Sequence, residues 1–179
     1  NKEFIMGKTT GKGYDSPQHT VVLSSDYYMC KYEVTRSLWY AIMNDSIVTE
    51  EGMLPMTHIT WNDAEAFTKK LNKLTGLPFS LPTEAQWEYA AAGGESYPYA
   101  GSDNIRDVAY YASNANERLH PVGEKRENGF DLYDMSGNAA EWCTDWMSRY
   151  ENTRVTDPQG PAENPGHHKK IVRGGSYLA

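Results

Sequence analysis

Apolar residues recur every three or four positions between Thr60 and Gly76, a period typical of a helix with one buried face. The positions that form this apolar stripe are Ala64, Phe67, Leu71 and Leu74. Thr60 is a residue type that caps helix starts, and Gly76 readily adopts the left-handed conformation that ends a helix. The pattern therefore predicts a helix that starts after Thr60, stops at Gly76 and buries the four apolar side chains.

A shorter helical pattern occupies residues 35–44. Thr35 stands at the cap position, and Leu38, Ala41 and Ile42 fall on one side of the predicted helix. We expect this side to face the core.

A third helix is predicted to begin after Thr83. Thr83 and Gln86 have the spacing of a capping box, and Gly93 provides the end signal. Glu84 and Glu88 lie one turn apart on the same face. Carboxylates four positions apart are common on solvated helix surfaces, so we expect both to face water rather than to act as a catalytic acid pair.

Strand patterns are short and lie near the two ends of the chain. They are predicted at residues 4–6, 21–23, 27–32 and 171–173. A glycine-rich connection runs from Gly7 through Gly11 to Pro17. Residues 95–130 and 144–170 show no periodicity, and irregular connections of this length usually carry function or bind ions.

Composition narrows the classes of partner. The 179 residues, of which 39% are hydrophobic and 23% charged, suit one domain with a sizeable core. The net charge of −7 disfavours nucleic acid as a partner, and no apolar run is long enough to predict a membrane span. The two cysteines, Cys30 and Cys143, can form one disulfide or remain as thiols, and their number does not decide between these states.

Candidate chemistry is concentrated in residues 129–146. Asp134 and Glu141 bracket a turn that carries Gly137 and Asn138, and aromatic residues flank the turn on both sides. Carboxylates in apolar surroundings need a partner, and a calcium ion with an all-oxygen shell is a suitable one. The alternative is a surface turn whose carboxylates are solvated, because the spacing is not that of an EF-hand.

Four stretches together carry a family resemblance. In chain order they are Tyr-Glu-Val-Thr at 32–35, Leu-Pro-Thr-Glu-Ala-Gln-Trp-Glu-Tyr-Ala at 81–90, the loop at 132–142 and Val-Arg-Gly-Gly-Ser-Tyr at 172–177. Their order and spacing resemble the formylglycine-generating enzyme family, also called sulfatase-modifying factors, over nearly the whole chain. The resemblance implies an α+β, C-type lectin-like fold with little regular structure, a small twisted antiparallel sheet and two main helices. We expect residues 1–179 to form a single domain that continues beyond Ala179.

The resemblance also implies a metal site. Family members bind Ca2+ with side chains at the positions of Asp134 and Glu141 and with carbonyls at the positions of Gly137 and Ala139. A second calcium site of some members needs an insertion that the short segment 112–122 lacks.

Copper is not expected in this chain. Active family members are copper-dependent oxidases that convert a sulfatase cysteine into formylglycine, and two cysteines just after the Gly-Gly-Ser-Tyr motif hold the metal. Copper(I) prefers soft thiolates, whereas Ala179 occupies the position of the first cysteine. Cys30 and Cys143 belong to other motifs.

The leading functional hypothesis is therefore a non-catalytic domain that binds a protein or glycan ligand. The resemblance extends to such bacterial and phage relatives, among them the variable proteins of diversity-generating retroelements. The alternative is a formylglycine-generating oxidase in truncated or altered form, and a third hypothesis is a structural subunit of a cell-envelope assembly. From calcium levels and family habit we expect an extracytoplasmic location.

Overall fold

Helices and short strands alternate with long irregular segments in the computed structural model, which describes residues 2–9, 13–43 and 51–179. In these residues the elements are β1 (Lys2–Met6), β2 (His19–Leu23), α1 (Arg36–Met43), α2 (Trp61–Thr75), α3 (Glu84–Ala92), α4 (Ile105–Val108), β3 (Glu141–Trp146), β4 (Val155–Thr156) and β5 (Lys170–Arg173). The expected α+β class with little regular structure is confirmed.

The strands form two small sheets. In the first, β2 pairs antiparallel with β1, Phe4 lying opposite Val21, and parallel with β4, Val21 lying opposite Val155. In the second, β3 and β5 are antiparallel, and Trp142 lies opposite Val172. The parallel pair departs from the purely antiparallel sheet that was expected. It is possible because β4 returns to β2 after a long crossover that contains all four helices.

Helix α3 packs between the two sheets and contributes to both core clusters. Ala85 lies with Met6, Val21 and Leu23 beside the first sheet. The other cluster contains Trp87, Ala90, Leu132, Met135 and Cys143, beside the second sheet. Because both clusters depend on α3, this helix fixes the position of one sheet relative to the other.

The predicted boundaries of α2 and α3 and the predicted start of α1 are confirmed. The Thr60 side chain accepts a hydrogen bond from the Asp63 backbone N–H in a capping box, and Gly76 ends α2 at φ 72°. Thr83 and Gln86 form the capping box that was predicted for α3. The Leu38 backbone N–H donates to the Thr35 hydroxyl at the start of α1, while Asn44, the predicted last residue, lies outside the described residues.

The predicted apolar stripes are only partly correct. Ala64 and Phe67 are buried, but the side chains of Leu74 and Leu38 are 62% and 42% exposed. Trp39 is buried instead, with its ring stacked on Phe67 at a centroid distance of 4.9 Å. A large ring fills the space between two short helices better than the leucine beside it, so packing changes the face that α1 buries.

Residues 27–32 are irregular and do not form the predicted strand. Their side chains anchor the segment: the Tyr27 hydroxyl donates to the Gln86 carbonyl at 2.8 Å, and Tyr32 packs against Tyr133. These contacts replace a ladder of backbone hydrogen bonds. Gly11, in the preceding glycine-rich connection, lies outside the described residues. Within the described residues, no helix has both the length and the apolar character that a membrane crossing requires.

Candidate functional site

The predicted calcium loop is a tight turn with several left-handed residues. Asp134, Gly137 and Asn138 adopt φ values of 58°, 83° and 53°. A Cβ atom at Gly137 would lie 2.2 Å from the Tyr110 carbonyl oxygen, so only glycine fits there. The structure thus gives a physical reason for the Ser-Gly-Asn sequence of the turn.

Asp134 is buried and Glu141 is half-buried, and each carboxylate is held by one hydrogen bond. Asp134 Oδ2 accepts from the Gly123 backbone N–H at 2.7 Å, and Glu141 Oε2 accepts from the Trp87 indole N–H at 2.8 Å. No hydrogen bond within the described residues uses the second oxygen of either carboxylate. Each side chain therefore keeps one oxygen that can face an ion.

A third carboxylate, Glu33, lies at the same loop. Its two oxygens accept from the Asn138 side-chain amide at 2.7 Å and from the Ala139 backbone N–H at 2.8 Å. Sequence reasoning missed this role, although Glu33 lies in the Tyr-Glu-Val-Thr stretch that carries the family resemblance. A carboxylate two positions before a helix cap was the available signal.

The electrostatics of the three carboxylates favour their neutral forms in the absence of a cation. Burial raises the pKa of Glu141 to about 7, and it also raises the pKa of Asp134. Burial, together with the charges of Glu141 and Asp134, raises the pKa of Glu33 well above its usual value. No lysine or arginine among the described residues forms an ion pair with any of the three.

Side chains alone do not form a metal site among the described residues. In the part of the chain that the structure describes, no group of three or more His, Cys, Asp or Glu side chains could hold a metal ion alone. An ion at this loop therefore needs backbone oxygens beside Asp134 and Glu141. The family resemblance implies that the carbonyls of Gly137 and Ala139 are such ligands, and this remains a prediction. Shells that mix carboxylate and carbonyl oxygens are typical of calcium.

Asn138 connects this loop to the neighbouring segments. It is fully buried, and its amide bonds Glu33 on one side and the backbone of His120 on the other, through both the N–H and the carbonyl of that residue. Its own backbone N–H donates to the Tyr110 carbonyl, and its carbonyl accepts from the Tyr177 N–H, both at 2.8 Å. One side chain and its peptide groups thus hold four segments together.

Those segments border a cavity of about 670 Å³, here called the Arg118 cavity. Side chains with polar or charged groups dominate its lining, among them Arg36, His58, Tyr110, Arg118, His120 and Tyr177. The Tyr110 and His120 rings are stacked at 3.6 Å and nearly coplanar. The cavity has the size of an ordinary small-ligand site.

A second charged cluster lies at α3 and β5. Arg173 donates to Glu84 at 3.2 Å and to Glu88 at 2.7 Å, and its guanidinium lies 5.3 Å from the centroid of the Trp87 ring. The expectation that Glu84 and Glu88 are solvated is therefore wrong, because one arginine from a distant strand forms ion pairs with both. A cavity of about 350 Å³ adjoins this cluster, and its charged groups are already paired.

The position implied for the first copper ligand carries no sulfur. Ala179 is exposed; its N–H donates to the Ser176 carbonyl and its carbonyl accepts from the Ala112 N–H. Both cysteines are free thiols: Cys143 is fully buried in the core and Cys30 is exposed.

Comparison with known proteins gives concordant matches. A family model described as the sulfatase-modifying factor enzyme 1-like domain matches residues 3–179. The chain is 38% identical to a formylglycine-generating enzyme of Streptomyces coelicolor, over 74% of this chain and 45% of that protein. It is 29% identical to a protein named chaperone protein LppX of Paenibacillus barcinonensis, over 96% of this chain and 75% of the relative. The chain thus spans less than half of the matched formylglycine-generating enzyme.

Solved structures confirm the fold. Treponema denticola variable protein 1 superimposes with a TM-score of 0.80 at 27% identity, covering 99% of this chain and 82% of that one. PvdO from Pseudomonas aeruginosa gives a TM-score of 0.78 at 21% identity, covering 98% of this chain and 79% of that one. The architecture is thus the C-type lectin-like one that the sequence motifs implied.

Proposed function

The chain belongs to the sulfatase-modifying factor enzyme 1-like family, and we propose that it is a non-catalytic member. In this proposal the chain binds a protein or glycan ligand, and calcium at the 134–141 loop stabilises the fold. The family match covers residues 3–179, so the proposal concerns the whole chain. Fold alone does not set activity, and the argument therefore rests on individual positions.

The observation that carries the proposal is the residue at position 179. An alanine methyl group cannot ligate copper(I), which needs soft thiolate ligands. Neither remaining cysteine replaces it, because Cys143 is enclosed in the core between α3 and the second sheet and Cys30 precedes the Tyr-Glu-Val-Thr stretch. The family's copper-dependent oxidation of a substrate cysteine requires a thiolate ligand at position 179, and this chain has none there.

The calcium part of the proposal is supported by the unbalanced charge of the loop. Three poorly solvated carboxylates, of which Asp134 is buried and Glu33 and Glu141 are half-buried, have no basic partner among the described residues and favour a bound cation, which would supply the missing positive charge. Asp134 and Glu141 would hold it through their free oxygens, together with the carbonyls of Gly137 and Ala139.

The binding part of the proposal is supported by the relatives. Treponema denticola variable protein 1 has nearly the same fold over nearly the same length, and its name describes a variable protein rather than an enzyme. A binding domain of this kind suits an extracytoplasmic location, where calcium is plentiful. The match to a protein named as a chaperone is compatible with a role in which the ligand is itself a protein.

The absence of oxidase activity can be tested directly. We expect the chain, supplied with copper(I), oxygen and a Cys-x-Pro-x-Arg peptide, to leave the peptide cysteine unchanged by mass spectrometry. A formylglycine-generating enzyme assayed in parallel provides the positive control. Conversion at a rate comparable to that control would contradict the proposal and favour the alternative, an altered copper oxidase.

A further inference from the structure

Glu33 lies beside the 134–141 loop but is not one of the expected calcium ligands. Both of its carboxylate oxygens are already used: Oε2 accepts from the Asn138 side-chain amide at 2.7 Å, and Oε1 accepts from the Ala139 backbone N–H at 2.8 Å. The two donors belong to consecutive residues of the turn. Glu33 therefore acts on the loop through hydrogen bonds, from a position 105 residues earlier in the chain.

The peptide group that joins Asn138 to Ala139 is fixed at both ends. Its N–H donates to Glu33, and its C=O accepts from the Tyr177 backbone N–H at 2.8 Å. Because a trans peptide is planar, its N–H and C=O point in opposite directions, and the two bonds together set the orientation of the whole group. This peptide lies between the carbonyls of Gly137 and Ala139, so its orientation limits where those two carbonyls can lie.

The two flanking carbonyls are the ones that an ion at this loop would need. Gly137 and Ala139 are buried, and their carbonyl oxygens accept no hydrogen bond from the residues that the structure describes. Buried carbonyls normally have a partner, since an unpaired one costs free energy. Two such oxygens beside Asp134 and Glu141 fit a calcium ion, which takes carbonyl and carboxylate ligands together.

The backbone of Asn138 needs the support that Glu33 gives. Its φ of 53° lies in the left-handed region, which is unfavourable for a residue other than glycine and persists only where the surroundings hold it. The Asn138 amide is held between Glu33 on one side and the His120 carbonyl on the other. Without the carboxylate, the turn can relax towards a commoner conformation, and the carbonyls on either side move with it.

The charge of Glu33 is costly in the absence of an ion. The side chain is half-buried, and burial together with the charges of Glu141 and Asp134 raises its pKa well above the usual value. No lysine or arginine among the described residues pairs with it. A bound cation turns this cost into a gain, because a third nearby negative charge then adds to the attraction for the ion.

We propose that Glu33 is the positioning residue of the calcium loop: it fixes the Asn138–Ala139 peptide so that the carbonyls of Gly137 and Ala139 remain free for the ion. Replacing a residue that orients the direct ligands of a metal lowers metal affinity by about 10- to 100-fold. This inference rests on the calcium part of the proposed function, because it names a residue on which the affinity of that loop depends.

The test is Glu33→Gln, with Glu124→Gln as the matched control. Glutamine keeps the shape of the side chain but presents one oxygen and one NH2 group to the two donors of the loop. The charge of Glu124 also acts on Asp134, but its carboxylate accepts from the Tyr110 hydroxyl and not from a group of the loop. The two variants therefore separate the loss of a nearby charge from the loss of the hold on the peptide.

Calcium affinity is measured by titration calorimetry at pH 8. We expect the dissociation constant to rise about 10- to 100-fold in Glu33→Gln and no more than about threefold in Glu124→Gln, whose charge is partly screened. Terbium(III), which takes the same oxygen ligands, then serves as a luminescent probe, and its lifetimes in H2O and D2O count the water molecules on the ion. Glu33→Gln should add about one water, in place of a withdrawn carbonyl, and Glu124→Gln none.

Urea unfolding without calcium completes the test. Glu33→Gln should be at least as stable as wild type under these conditions, since it removes a poorly solvated charge. Clearly lower stability would overturn the inference, because the role of Glu33 would then be structural.

An unchanged dissociation constant in Glu33→Gln would also overturn it, and so would weaker binding with an unchanged water count, because Glu33 would then act through its charge alone. A wild-type chain that binds no calcium would contradict the calcium part of the proposed function and remove this inference with it. Calcium binding by wild type with equal affinity in Glu33→Gln would contradict only the inference about Glu33.

Discussion

Replacing Arg173 by methionine is expected to lower the free energy of unfolding by about 3–5 kcal/mol, the range found when one partner of a buried ion pair is removed. The guanidinium is the shared partner of Glu84 and Glu88, and the three side chains are only 10–21% exposed. Without it, two carboxylates on adjacent turns of α3 face each other in a poorly solvated site. Because α3 packs against both sheets, the loss affects the whole domain.

Urea unfolding at neutral pH measures this effect, and the chain offers a matched control. Arg154 pairs with Glu3 at 2.9 Å, but both side chains are about 60% exposed. Arg154→Met should therefore cost no more than about 1 kcal/mol. Adding Glu84→Gln and Glu88→Gln to Arg173→Met should recover much of the lost stability, since the uncompensated charges are then gone. Similar losses for the two arginine variants would contradict the buried ion-pair account.

Replacing Asn138 by alanine is the second change with a large expected effect. The buried amide satisfies Glu33 and both backbone groups of His120, and each group left without a partner costs about 1–3 kcal/mol. We expect a total loss of about 3–5 kcal/mol in urea unfolding, which is unusually large for a single substitution.

Asn116→Ala is the control for this variant. Asn116 has the same φ of 53°, but its side chain is exposed. Alanine at this position therefore reports the cost of the left-handed backbone alone, which we expect to be about 1 kcal/mol. Equal losses for Asn138→Ala and Asn116→Ala would show that the backbone conformation, and not the hydrogen-bond network, determines the importance of Asn138.

Local signals were sufficient to predict much of this fold. The capping boxes of α2 and α3 and the left-handed glycines that end both helices depend on residues within a few positions of one another. Such features are encoded in short stretches and can be recognised there. The overall architecture needed the order of four motifs, because the irregular segments carry no periodicity of their own.

The features that could not be predicted are contacts between distant segments. Arg173 reaches Glu84 across 89 positions, and Asn138 reaches Glu33 across 105. Spacing along the chain carries no signal for such pairs, so Glu84 and Glu88 were expected to be solvated and Glu33 was overlooked. The same applies to Trp39, whose burial depends on Phe67 in another helix.

The pH dependence of the calcium-free chain follows from the same carboxylates. Burial raises the pKa of Glu141 from 4.5 to about 7 in the folded state, so the folded chain binds protons more strongly than the unfolded chain. The associated stability is complete below about pH 4.5 and is lost as the pH rises through about 7, because the charged form is then buried without a partner. A bound calcium ion favours the ionised form and should reverse this loss.

The central claim, that the 134–141 loop holds calcium, is tested most directly by urea unfolding at pH 8, where Glu141 is ionised. The wild-type chain is compared in chelator and in calcium at a hundredfold excess over its measured dissociation constant. The account predicts a gain of about 2.7 kcal/mol in calcium for wild type. It predicts almost no gain for Glu141→Gln, which keeps an oxygen for the Trp87 indole but lacks the charge. Unfolding curves of the wild-type chain that coincide with and without calcium would contradict it.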